Sequence, residues 1–337
     1  MSTDTRTAPP GDPRLFAAAS GLDPFASVGG LSVGNNALTD DPFADLEDQE
    51  PSRPADVRAW YLARARKGYA DLHRDWIQLP KGTKGPRGSA LARLVTTRRE
   101  NALEAFLLLH ALQPVLQHGQ PLAMDVWAAM MTRTTRVTHN AASKAFADLV
   151  DMRLVHRRRE GRLSEVAPLA EDGSGAQWAD VGTRTQTGSM GQGYFTFPFA
   201  YWLDGYSARL RLPGKAMLLI LLADTQVKQH TNIPIEKAQD WYGVSERTAE
   251  RGYNELKDAG LLLEHRQRVS NPEVPGGHHF VYHRALAAPF STIARTQLRR
   301  EAKAAGEGRR GTADTSSDKG GGDNSDDRSP DADAAKS

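Results

Sequence analysis

Arg247, Arg251 and Asn254 fall at i, i+4 and i+7, a spacing that puts three side chains on one face of a helix, with Thr248 at its shoulder. A guanidinium presents a fork of donors that matches the guanine edge, and a carboxamide matches adenine. This face therefore carries the chemistry of base reading in a major groove. Asn140, Ser143 and Lys144, spaced i, i+3 and i+4 with His139 beside them, offer a second face of different composition. Around the turn Glu160-Gly161 stand Arg157, Arg158, Arg159 and Arg162, a density of positive charge suited to phosphate. Arg266 and Arg268 alternate along an extended run and add to the same set. The rival reading is a merely solvated helix or hairpin face. The four arginines at one tight turn speak against it, because an ordinary solvated hairpin mixes its signs.

Other chemistries find less support. The chain has no cysteine, which excludes disulfides, thiolate-ligated zinc, iron–sulfur clusters and thiol nucleophiles. His278, His279 and His283 invite a metal, but strand alternation puts only His279 and His283 on one face, and no acid stands at ligand spacing. Phosphate contact is the better expectation there. The basic loop Lys81-Gly82-Thr83-Lys84-Gly85-Pro86-Arg87-Gly88 lacks the Gly-Lys-Ser/Thr closure of a nucleotide-binding P-loop and suits backbone phosphates instead. The aromatic run Tyr194, Phe195, Phe197, Phe199, Tyr201 and Trp202 has the chemistry to stack bases, but is expected to pack a strand and a helix onto the second domain. Nothing favours a Ser-His-Asp set or paired carboxylates. The expectation is a binding protein, not an enzyme, with no cofactor and no metal.

Both reading faces belong to an internal repeat. At an offset of 107, residues 137–155 match 244–262 with five identities (Val, Ala, Leu, Asp, Leu) and six conservative pairs. Upstream the offset becomes 111, aligning Ala105-Phe106-Leu107-Leu108 with Ala216-Met217-Leu218-Leu219, so the first copy holds four extra residues near 132–136. In the second copy the pattern predicts a helix over 215–227, a short extended piece at 232–235 and a short helix over 236–242. Gly243 supplies the sharp turn, and Ser245 caps a helix whose buried stripe is Ala249, Gly252, Tyr253 and Leu256. Strands over 261–269 and 278–284 follow. In the first copy the helices fall at 104–115 and 125–131, and Thr138 caps a third that buries Ala142, Ala145, Phe146 and Leu149. A hairpin over 154–159 and 162–166 closes the unit.

The rest of the chain frames these copies. Of 337 residues, 25% are charged and 39% hydrophobic, and no apolar run is long enough for a membrane span or a secretion signal, so a cytoplasmic, nucleoid-associated protein is expected. The net charge of +2 conceals a segregation: −7 over 1–56, +12 over 57–306 and −3 over 307–337. Residues 1–56 are expected to be a disordered acidic tail, 171–193 a linker that lets the two halves vary their spacing, and 301–337 a second disordered tail. The folded blocks are then 57–170, including a basic helical extension, and 194–300. Two short repeats in the first tail, Asp23-Pro24-Phe25-Ala26 and Asp41-Pro42-Phe43-Ala44, offer docking motifs for replication or transcription machinery.

The order of helix, helix, capped helix and hairpin, with Val-Ser-x-x-Thr-x-x-x-x-Tyr-x-x-Leu over 244–256 and Ala-Gly-Leu-Leu over 259–262, resembles the winged helix-turn-helix domains of bacterial regulators. The tandem layout is similar to two-winged-helix replication initiators of plasmids. The resemblance implies a mainly α fold with small β-hairpins: two tandem winged helix-turn-helix domains between acidic tails. It implies double-stranded DNA as partner, a monomer or homodimer, and a role as mobile-element replication initiator or transcriptional regulator. The alternative is a non-catalytic scaffold subunit of a chromosome-organising complex, in which winged helices bind proteins.

Overall fold

Pro54 opens the first helix, α1 (Pro54–Ala65), where its fixed φ suits the first turn and its missing N–H would be unpaired anyway. There follow β1 (Tyr69–His73), α2 (Ala90–Thr96), α3 (Glu100–Ala111), α4 (Met124–Met131), α5 (His139–Asp151) and the hairpin β2 (Val155–Glu160) and β3 (Leu163–Pro168). The second half contains β4 (Tyr194–Pro198), α6 (Leu212–Asp224), α7 (Ala238–Tyr242), α8 (Glu246–Asp258), the hairpin β5 (Leu262–Ser270) and β6 (His278–Leu286), and α9 (Thr292–Asp314). This computed structural model describes residues 50–80, 88–160, 163–178 and 193–314, about half of it helical with three two-stranded antiparallel sheets. No described helix is long and apolar enough to cross a membrane.

Three helices and a hairpin thus occur twice, as α3, α4, α5 with β2–β3 and as α6, α7, α8 with β5–β6. The caps form as the sequence asks. The Ala141 N–H donates to Thr138 Oγ1 at 3.2 Å and the Thr248 N–H to Ser245 Oγ at 3.3 Å. All eight residues assigned to the two buried stripes are buried. The turn before α5 holds seven residues and that before α8 three, which locates the four-residue insertion. Gly243 makes the short turn with φ +67°, and a Cβ there would lie 2.8 Å from both Ala92 Cβ and Gly88 Cα.

Helix bounds depart from the sequence pattern in two ways, the first a shift of α3 and α6 toward the N-terminus, so that they end at Ala111 and Asp224 rather than at 115 and 227. Helices α3 and α6 begin at Glu100 and Leu212 rather than at 104 and 215. Pro213 is accepted in the first turn of α6, and the Glu255 carboxylate takes the N–H groups of Arg211 and Gly214 at 3.0 and 3.2 Å. The second correction concerns 301–314, expected as tail but helical as the end of α9. Alanines and the i,i+4 pairs Gln297–Glu301 and Lys303–Glu307 favour helix there. Residues 1–49, 179–192 and 315–337 lie outside the described residues, and with them the Asp-Pro-Phe-Ala repeats and most of the expected linker.

The two copies do not stand apart on a variable spacer, as the linker reading had it. The chain from Ser52 onward clusters as one compact unit, and one hydrophobic core runs through both copies. Strand β1 of the N-terminal extension pairs antiparallel with β4 of the second half, from Tyr69–Pro198 to His73–Tyr194. The aromatic run is buried as expected: Phe195, Phe197, Phe199, Tyr201 and Trp202 are all core. Beneath them, fully buried Glu104 of α3 accepts hydrogen bonds from Lys215 Nζ of α6 at 2.6 Å, Tyr201 Oη at 2.6 Å and Trp202 Nε1 at 3.2 Å. Lys215 also reaches Glu100 at 2.7 Å. Burial pushes the Glu104 carboxyl up, but Lys215, Arg133 and the hydrogen bonds outweigh it and hold the group below its ordinary value.

Helix α9 is fastened to the second copy by Arg295, which is buried without a carboxylate partner. Its guanidinium donates to the carbonyls of Leu222, Thr225 and Phe290 and to Gln226 Oε1. Three of these acceptors belong to the last turn of α6 and the residues just after it, the negative end of the helix dipole, which suits a cation. Burial draws this guanidinium down to about 10, so it remains charged at neutral pH.

Candidate nucleic-acid interface

Helix α8 presents its polar face to solvent because its apolar stripe packs on α6. At the crossing, Gly252 faces Pro213 and Met217, and an added Cβ would lie 2.5 Å from the Pro213 carbonyl oxygen. On the opposite side Arg247, Glu250, Arg251 and Asn254 are exposed. Thr248 is half-buried and serves the cap, its hydroxyl 2.8 Å from Ser245 Oγ. Arg247, Arg251 and Asn254 make no side-chain hydrogen bond or ion pair among the described residues, so their donors are free for a ligand.

The hairpin β5–β6 stands beside this helix. Its strands pair over nine positions, from Leu262–Leu286 to Ser270–His278, and beyond the base its residues are exposed or half-buried. Glu264 anchors the base, holding Arg284 Nε at 3.0 Å and Lys257 Nζ of α8 at 3.1 Å. The Arg284 guanidinium carbon lies 4.2 Å from the centroid of the Tyr253 ring of α8 and the side chain donates to the Ile233 carbonyl at 2.9 Å. Burial pushes the Tyr253 phenol up to about 12, with Arg284 opposing. Farther out on the same face, Arg266 and Arg268 have no carboxylate partner among the described residues and lie over Phe280, at 3.4 and 5.8 Å from the ring centroid.

The first copy disposes of its polar residues differently. Asn140 is exposed in the first turn of α5. Ser143 is half-buried, and its hydroxyl and carbonyl take Arg157 Nη1 at 3.1 and 3.2 Å, while Arg157 Nη2 donates to Ser164 Oγ at 3.2 Å. Arg157 therefore ties the hairpin to the helix instead of projecting outward. Lys144 pairs with Asp148 at 3.3 Å, and Arg158 stands 3.7 Å from Glu165. Arg159 lies opposite Ser164 in the ladder; Arg162 and the side chain of Arg159 lie outside the described residues.

Comparison with protein-family models, with curated proteins and with solved structures gives no match. What the surface can bind rests on its own chemistry. The structure brings Arg247, Arg251, Asn254, Arg266 and Arg268 to one helix and its adjoining hairpin, while Ser143, Lys144, Arg157 and Arg158 are engaged within the chain. Sequence reasoning missed Phe280, Tyr282 and Arg284. Their signal was present as alternation, an aromatic, an aromatic and an arginine at i, i+2 and i+4 of one strand, behind the more conspicuous histidines. Among the described residues no group of three or more histidines and acids is placed to hold a metal. The basic loop 81–87 is outside the described residues, but its flanks Gln78 and Gly88 bridge one another, and Gln78 Nε2 donates to the Trp241 carbonyl at 2.8 Å, beside the turn into α8.

Proposed function

We propose that the chain binds specific double-stranded DNA through two winged helix-turn-helix units, with the second as the principal reader. The observation that carries this reading is the face of α8. A capped, amphipathic helix offers Arg247, Arg251 and Asn254 without internal partners, beside a hairpin whose Arg266 and Arg268 are equally unpaired. A helix of this kind fits a major groove, where forked donors read guanine and a carboxamide reads adenine. The hairpin then supplies backbone contacts. The first unit adds Asn140, exposed in the first turn of α5. The physiological setting is replication initiation on a mobile element or transcriptional regulation.

Selection from a random duplex pool, followed by anisotropy on the selected sequence, tests this. Arg247→Ala/Arg251→Ala is expected to weaken the selected duplex about 10–100-fold and to relax the sequence preference. Arg266→Ala/Arg268→Ala is expected to weaken all duplexes alike and flatten the salt dependence by roughly two units of slope. A chain that selects no sequence, or one whose preference survives the α8 substitutions, overturns the reading.

A further inference from the structure

The second hairpin carries something duplex reading does not require. Phe280 and Tyr282 are 37% and 42% exposed on a strand, two residues apart on one face, interleaved with Arg266 and Arg268 from the partner strand. The ladder sets Arg266 opposite Tyr282 and Arg268 opposite Phe280. The first hairpin, Val155–Glu160 with Leu163–Pro168, contains no phenylalanine, tyrosine or tryptophan. Phe195, Phe197, Phe199, Tyr201 and Trp202, which pack the body, are buried. The other rings exposed to a like degree among the described residues, Trp60 and Trp241, lie singly on helices α1 and α7; Phe280 and Tyr282 share one strand face.

We propose that this face of β5–β6 binds the unpaired bases of a single DNA strand. Side chains two apart on a strand are spaced about 7 Å, room for one planar group between neighbouring rings at the ~3.4 Å repeat of stacked bases. One face of the Phe280 ring is held by a guanidinium, with Arg266 at 3.4 Å from its centroid. A base uses the same ring face. When it enters, the arginine moves aside to a phosphate of the incoming strand, exchanging a cation–π contact for a charge-assisted hydrogen bond. Among the described residues neither Arg266 nor Arg268 has a carboxylate partner, so the face is positively charged as well as aromatic, the pairing that single strands favour. A protein partner would use the rings but leave the unpaired arginines unanswered, unless it were acidic and aromatic together. The proposal goes beyond the duplex reading and does not depend on it.

The test uses the full chain and three labelled probes of about a dozen nucleotides, within the range of known single-strand sites: oligodeoxythymidine, an abasic strand of equal charge, and a duplex. Oligodeoxythymidine is expected to bind at least tenfold more tightly than the abasic strand. Phe280→Leu/Tyr282→Leu is expected to weaken it about 10–100-fold, and Tyr282→Phe to leave it unchanged. Arg247→Ala/Arg251→Ala, on α8, should spare the single strand while weakening the duplex. Equal binding of the abasic strand, or no loss in the leucine variant, overturns the proposal. Should the leucines unfold the hairpin, seen as lost amide protection in β5 and β6, Phe280→Trp decides instead, with quenching expected from oligodeoxythymidine and not from the abasic strand. Duplex binding without single-strand binding refutes this inference alone; the reverse refutes the duplex reading alone.

Discussion

The two copies share a skeleton and differ in what they leave free. In each, an acid of the third helix holds the arginine just ahead of the first: Asp148 takes Arg99 at 3.1 Å, and Glu255 takes Arg211 at 3.2 Å. In each, the residue two past the third helix is left-handed, Arg153 at φ 57° and Gly260 at φ 71°. The outer polar residues part company. Lys144 is drawn back to Asp148, whereas its counterpart Arg251 is free; Arg157 is spent on Ser143 and Ser164, whereas Arg266 and Arg268 rest only on an aromatic ring. A repeat can keep its fold-making contacts in both copies while leaving its outer polar residues unpaired in one.

The comparison holds only if both copies fold as parts of one body, and the junction is where it breaks most easily. Removing one partner of a buried ion pair strands the other charge, at a cost of about 3–5 kcal/mol. Lys215→Met is therefore expected to lower stability by that amount and to split one unfolding transition into two, measured by denaturant titration with calorimetry. The double change Glu104→Leu/Lys215→Met should recover much of the loss. Because the folded Glu104 carboxyl lies below its ordinary value, its contribution is present above about pH 4.3 and is lost as pH falls through the lower folded value. A single, unshifted transition in the Met variant would mean that the core alone joins the copies.

The helix crossings sharpen the contrast. Gly252 lies against Pro213 and Met217, and its counterpart in the first copy is Ala145. Gly252→Ala is expected to destabilise by up to about 3 kcal/mol through overpacking, and Ala145→Gly by about 1 kcal/mol through helix propensity. Equal, small effects in equilibrium unfolding would show the two crossings to be equally loose.

Tyr253 against Phe146 is the next pair. Burial lifts the Tyr253 phenol to about 12 against about 10 unfolded, so its contribution is intact below pH 10 and lost between pH 10 and about 12. The second copy is expected to lose about 2 kcal/mol over that window, and Tyr253→Phe, which restores the first copy's residue, should cancel much of that loss. Near-UV circular dichroism during an alkaline titration reads both.

Periodicity made much of this legible. The caps at Thr138 and Ser245, the eight buried stripe residues and the four-residue insertion all follow from spacing and local chemistry, which operate within a few residues. What escaped depends on contacts across more than a hundred residues. Nothing in Glu104 or Lys215 announces that they meet, so a Gly- and Ser-rich stretch read as a free linker although β1 and β4 pair across it. Site residues failed at shorter range: Arg157 and Arg266 are alike in type, but Ser143, fourteen residues away in the chain, holds Arg157. Burial and pairing, not residue type, separate a charge that binds from one that braces.

The smallest expected difference lies at the left-handed residue past the third helix. Both copies need it, because the helix must stop and turn into the hairpin, and Gly260 meets the need without a Cβ clash. Arg153 adopts the same backbone with a side chain, a conformation that costs roughly 1 kcal/mol or somewhat more. Gly260→Ala is therefore expected to destabilise the second copy by about 1 kcal/mol. Arg153→Gly relieves strain but frees the unfolded chain, which offsets about 0.4–1 kcal/mol, and it also removes the Arg153 packing over Gly175. The net change in the first copy should be within about 0.5 kcal/mol of zero. Paired melting curves of the two variants measure the asymmetry, and a marked loss in Arg153→Gly would show that the Gly175 contact, not backbone geometry, fixes that turn.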